Sequence, residues 1–184
     1  MRMMRQTSQL LIVDVQERLL PTIAEWQRVE RTTVQLAHVA RRLAVTTTVS
    51  EQYPRGLGGT SPVILEAAGN EAVRLDKVEF SCMANAGLRE RLETLRGGGL
   101  RQIVVAGMEA HVCVAQTVLD LIAADFDVFV VADAVGSRSM ESRRLALERM
   151  ARQGAEIVDW EMAMFEWLER AGTPEFKELQ GLLK

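Results

Sequence analysis

The chain holds 184 residues with a formal net charge of −3, 48% of them hydrophobic and 26% charged, the composition of one globular domain with a sizeable core. Basic residues are interleaved with acidic ones, which argues against a nucleic-acid or anionic-membrane partner, and the longest apolar runs, LLIV and VFVVA, are far too short to span a bilayer. Two cysteines without a framework, and a basic N-terminus whose apolar run is broken by Asp14, make the cytoplasm the expected location.

From the N-terminus onward, strand-like apolar runs alternate with helical periodicity. A first strand is predicted over 9–13 and a helix over 29–43, then strands over 45–50 and 72–75 and a helix over 83–95 that the glycines at 97–99 bring to an end. A strand over 102–106, a helix over 112–124, a strand over 127–132, a helix over 140–153 and a strand over 156–158 follow. Two short amphipathic helices, over 162–170 and 175–183, are separated by the Gly172-Thr173-Pro174 break. No repeat or linker interrupts the series. The βαβα alternation predicts a single α/β domain over 1–184, a three-layer α-β-α sandwich on a mostly parallel six-stranded sheet of Rossmann-like type.

Three polar residues stand at predicted strand ends: Asp14 after LLIV, Lys77 after VRLD, and Cys113 beyond VVAG. In a parallel sheet the C-terminal strand ends share one edge, so the three residues converge there. A carboxylate takes a thiol proton, a lysine favours the thiolate and holds the carboxylate, and the amides of 107–113 at the helix start offer an oxyanion hole. Each residue also has a plainer reading: Asp14 as a turn former, Lys77 as a solvated strand end, Cys113 as a small buried apolar residue.

LLIVDVQ at 10–16, the Lys77-Val-Glu-Phe-Ser element and GMEAHVCV at 107–114 closely resemble the isochorismatase-like cysteine hydrolase superfamily, in order and spacing, from Leu10 to about Asp159. SEQYPRGLGGT at 50–60 resembles its isochorismatase-domain-containing subgroup. The resemblance implies an isochorismatase-like hydrolase fold, with Cys113 as nucleophile, Asp14 as general base and Lys77 as thiolate stabiliser. It also implies a cis peptide between Met108 and Glu109, with the backbone amides of Glu109 and Cys113 donating to the oxyanion.

The nicotinamidases of that superfamily hold a metal through an Asp-x-His pair and a further histidine. Here the stretch reads Glu51-Gln52-Tyr53-Pro54 and the only histidines are His38 and His111, so no metal and no cofactor are expected. Gln16, Glu51, Tyr53, Phe80 and His111 flank the motif residues and are candidates to line a substrate pocket. Cys82, five residues after Lys77, borders the same pocket or packs in the core. RGLGGT lacks the Gly-Lys-Ser/Thr of a phosphate loop. Trp160, Met164, Phe165 and Trp167 cover the core or bury a subunit interface, and the resemblance implies a homo-oligomer. The expected activity is hydrolysis of a small-molecule amide or related C–N bond through a Cys113 thioester. Vinyl-ether or ester hydrolysis in the same pocket, or a catalytically silent oligomeric interaction protein, are the alternatives.

Overall fold

A computed structural model of the chain describes residues 1–183. Six strands, β1 (Ser8–Val13), β2 (Thr46–Gln52), β3 (Val73–Lys77), β4 (Gln102–Met108), β5 (Asp127–Gly136) and β6 (Glu156–Val158), form one sheet in the order β3-β2-β1-β4-β5-β6. Every neighbouring pair runs parallel. The chain therefore winds outward from β1 in one direction, returns to β4, and winds outward in the other. The order reverses between β1 and β4, which is where open sheets of this kind form a ligand crevice.

Helices cover both faces, which is why β1 and β4, the central strands, are buried at every position and mostly apolar. Leu10 and Ile12 of β1, with Val104 of β4 and Phe129 of β5, pack beneath α1 (Trp26–Arg42), α2 (Pro54–Leu57) being only a short turn, and α3 (Pro62–Ala68). Leu11 and Val13, with Ile103 and Val128, pack beneath α4 (Ala86–Gly97), α5 (Ala115–Ala123) and α6 (Met140–Arg152). Because side chains alternate along a strand, a one-residue register slip would exchange these two sets, and the two-sided burial locks the pairing. α7 (Trp160–Leu168) and α8 (Pro174–Leu179) complete the first face.

Trp167 of α7 is fully buried, and its indole nitrogen donates to Ser8 Oγ at 3.1 Å, tying the C-terminal helix to the start of β1. Trp167→Phe keeps most of the packing and removes that bond. A loss of about 1–2 kcal/mol is expected in urea unfolding, with the denaturant slope unchanged.

Element boundaries differ from expectation where caps and prolines act. Asn85 Oδ1 accepts from the Leu88 amide at 3.1 Å, so α4 begins at Ala86 rather than at 83. Asp159 accepts from the Met162 amide at 2.7 Å and starts α7 at Trp160 rather than at 162. Pro54 and Pro62 open α2 and α3, two short helices that no apolar periodicity announces. β3 runs on to include Lys77, and β5 continues to Gly136 past a register shift opposite Val105/Gly107. The sheet is parallel throughout rather than mostly so. Among the described residues, no helix is long and apolar enough to cross a membrane.

Candidate active site

β1 ends at Val13, and Asp14 turns the chain with a φ of 53° while its amide still donates to the Ser50 carbonyl of β2 at 3.1 Å. The carboxylate that this turn presents is fully buried. Its Oδ1 accepts from Ser50 Oγ at 2.6 Å and its Oδ2 accepts from Lys77 Nζ at 2.7 Å. Lys77, the last residue of β3, reaches across β2 to make this contact, and neither side chain of the pair is exposed. An ammonium has three protons to place. Those of Lys77 go to Asp14 Oδ2, to Gln52 Oε1 at 2.6 Å and to the Glu79 carbonyl at 3.2 Å.

Cys113 arrives from the other side of the crevice. β4 gives way to a π-helical turn, Ala110–Val114, and α5 begins only after it, so the helix predicted from 112 starts at Ala115. The peptide between Met108 and Glu109 is cis. The cysteine is 7% exposed, at the floor of a cleft of about 360 Å³. Polar groups of the cleft wall are Asp14, Thr22, Gln52, Glu109 and Arg138, and its apolar surface comes from Leu19, Leu57, Phe80 and Val112. Glu109 Oε1 accepts from Arg138 Nε at 2.6 Å at the mouth.

Burial pushes the Cys113 thiol well up, the adjacent Asp14 charge pushes it further, and Lys77 opposes without overcoming them. Burial, the largest influence on Lys77, would lower its pKa, but Asp14 and the two cysteines together raise it. A lysine and a thiol that are both shifted upward thus stand side by side. The Asp14 carboxylate and the Cys113 thiol face the same cleft.

The expected lining residues part company. Phe80 lines the cleft and is 54% exposed. Gln16 is buried, its Oε1 accepting from the Gln52 amide at 2.8 Å and its Nε2 donating to the carbonyls of Gln52 at 3.0 Å and Gly58 at 2.7 Å. Glu51 is buried as well, accepting from the Thr60 amide and hydroxyl, both at 2.7 Å. These two side chains brace the 50–60 loop and are not among the residues that line the cleft. Tyr53 is exposed and lines a separate depression with Pro54, Arg55 and Val78. His111 Nδ1 lies 3.0 Å from Ser137 Oγ. Cys82 is fully buried, and its amide donates to Thr117 Oγ1 at 2.9 Å. Its thiol is pushed up to about 11 by burial and the Asp14 charge, against the pull of Lys77. Ser50 and Gln52 escaped the sequence reading. Both lie at the C-terminal end of β2, and the strand-end rule that found Asp14, Lys77 and Cys113 applies equally there.

A family model described as isochorismatase domain matches residues 8–162. Isochorismatase domain-containing protein 1 of Danio rerio is 39% identical over 178 residues, covering 97% of this chain and 61% of the relative. The chain thus spans about 61% of the length of the domain-containing protein 1 relatives that it matches. Isochorismatase domain-containing protein 2 of the same organism is 34% identical over 99% of this chain and 89% of its own length. Among solved structures, one described as the MAR1 ribonuclease from Caenorhabditis elegans superposes with a TM-score of 0.92 at 34% identity, covering 100% of this chain and 92% of that one.

Proposed function

The chain belongs to the isochorismatase domain family, and from that premise we propose that it is a cysteine hydrolase cleaving a small amide or related C–N bond. The observation that carries this reading is the buried Asp14–Lys77 pair, closed at 2.7 Å, with its carboxylate against the Cys113 thiol at the floor of an open cleft. As Cys113 Sγ adds to the substrate carbonyl, Asp14 accepts the thiol proton, and the backbone amides of Glu109 and Cys113 donate to the oxygen that becomes negative. Protonated Asp14 hands its proton to the departing nitrogen, the C–N bond breaks, and a thioester remains on Cys113. Asp14 then takes a proton from water, the hydroxyl adds to the thioester, and the acid leaves as the proton returns to the sulfur. Lys77 keeps the carboxylate in place and holds a positive charge beside the groups that exchange the proton. The apolar walls formed by Leu19, Leu57, Phe80 and Val112 exclude water and favour a compact substrate.

Intact-mass trapping against a panel of small amides and esters tests this directly. An acyl adduct is expected on the wild-type protein at Cys113 and none on Cys113→Ser. Iodoacetamide is expected to label Cys113, at the cleft floor, ahead of the fully buried Cys82, and Asp14→Asn to slow acylation of Cys113 by the amide panel by at least tenfold. Equal, slow labelling of both cysteines, or acylation that Asp14→Asn leaves unchanged, would overturn the proposal. So would turnover of an ester, a vinyl ether or an RNA oligonucleotide that survives Cys113→Ser, the RNA arm following from the description of the C. elegans relative.

A further inference from the structure

The Gln52 side chain has no part in the chemistry just set out, yet it occupies the junction between the two charged residues. Gln52 is the last residue of β2, the strand between Asp14's and Lys77's, and pairs in register with Lys77. Its Oε1 accepts from Lys77 Nζ at 2.6 Å, the shortest of the three contacts that the ammonium makes. Its Nε2 donates to the Val78 carbonyl at 2.8 Å. A flipped amide would turn its NH2 toward the ammonium and its oxygen toward the carbonyl, so the orientation has one solution. The backbone of the residue is gripped too, since Gln16 accepts from its amide and donates to its carbonyl.

We propose that Gln52 is a positioning residue for the Lys77 ammonium, which holds the cation on the Asp14 side with a neutral acceptor. This rests on the Asp14–Lys77–Cys113 reading above. The ammonium is completely enclosed, so a proton without an acceptor there would favour loss of the charge. Neutrality matters as much as reach. A carboxylate at position 52 would compete with Asp14 for a single cation and would add a second negative charge near the thiol. The amide satisfies the third proton without either effect, and the Gln16 brace transmits the geometry of the 50–60 loop to the ion pair. The stretch that replaces a histidine-bearing segment thus serves to seat the lysine.

The rate of Cys113 alkylation by iodoacetamide, followed by peptide mass between pH 6 and 10, reads the pair without needing a substrate. Gln52→Glu preserves size and is expected to displace the rate profile upward by about one pH unit, so that alkylation is about tenfold slower at a fixed pH. Gln52→Leu removes the acceptor and is expected to slow alkylation about tenfold, increasingly so as pH rises, because Lys77 then gives up its proton earlier. A packing role alone would leave the Gln52→Leu profile where the wild-type profile lies, since leucine adds no charge. If thermal melting shows both variants folded and neither shifts the profile, while Asp14→Asn and Lys77→Met do, the inference is overturned and the hydrolase reading stands. If Asp14→Asn and Lys77→Met also leave alkylation unchanged, the hydrolase reading is overturned with it. Should Gln52→Leu fail to fold, Gln52→Met, which keeps the length of the side chain and removes the acceptor without adding charge, decides the question.

Discussion

Lys77→Met is expected to destabilise the fold by about 3–5 kcal/mol and to leave Cys113 inert, although methionine nearly matches the lysine stem in length. The substitution leaves the Asp14 carboxylate fully buried with no cation to face it, while Gln52 Oε1 and the Glu79 carbonyl lose their shared donor. Breaking one side of a buried pair costs far more than an exposed pair ever contributes, because an uncompensated charge stays behind. The double variant Asp14→Asn/Lys77→Met is therefore expected to recover part of the loss, and urea unfolding of the two singles and the double would give the coupling. The pH dependence has a definite sign. Lys77 is raised from the ordinary lysine value of 10.5, so its contribution is complete below that value and is lost as pH climbs through the raised one. Wild type and Lys77→Met should accordingly converge in stability only in strong alkali. Unchanged urea midpoints for Lys77→Met at neutral pH would show that the pair contributes nothing.

Gly107→Ala is expected to be the most damaging single-methyl change in the chain, costing more than about 4 kcal/mol or abolishing folding. A Cβ there would stand 2.0 Å from the Val13 carbonyl oxygen and 2.7 Å from the Val13 nitrogen, with a backbone φ of +124° that side chains rarely adopt. All the offending atoms are backbone, so no rotamer change relieves the overlap. β4 would have to retreat from β1 at the point where one strand delivers Asp14 and the other leads into the Cys113 turn, so fold and site fail together. Gly154→Ala provides the control. Its φ is +108° but nothing lies within 4 Å, so the conformational penalty alone, about 1–2 kcal/mol, is expected. A pair of urea curves separates the two costs, and similar midpoints for both variants would sink the close-approach argument.

The two-sided burial of LLIV and IVVA was legible because an unbroken apolar run has few other places to go, and the sheet follows from those runs alternating with helices. The boundaries were less so. Asn85 and Asp159 look like any surface residue until their oxygens are seen to accept a helix amide, and the helices led by Pro54 and Pro62 are too short to show a periodicity. At the site, Asp14, Lys77 and Cys113 were visible as polar residues following apolar strands. Gln16 and Glu51 look the same in one dimension, yet both turn inward and spend their hydrogen-bonding groups on the 50–60 loop.

By itself, the sequence determined which segments become strands, that their polar termini share one edge, and that a thiol, a carboxylate and an amine belong to that edge. Tertiary structure alone decided how deeply the thiol is buried, the seat of the lysine and the identity of the cleft walls. The physical reason is range. Ser50 meets Asp14 across 36 positions of sequence and Lys77 meets it across 63, and the burial that pushes the Cys113 thiol up arises where helices from both faces close over the crevice. Periodicity is a property of neighbours along the chain, whereas desolvation and pairing are properties of neighbours in space.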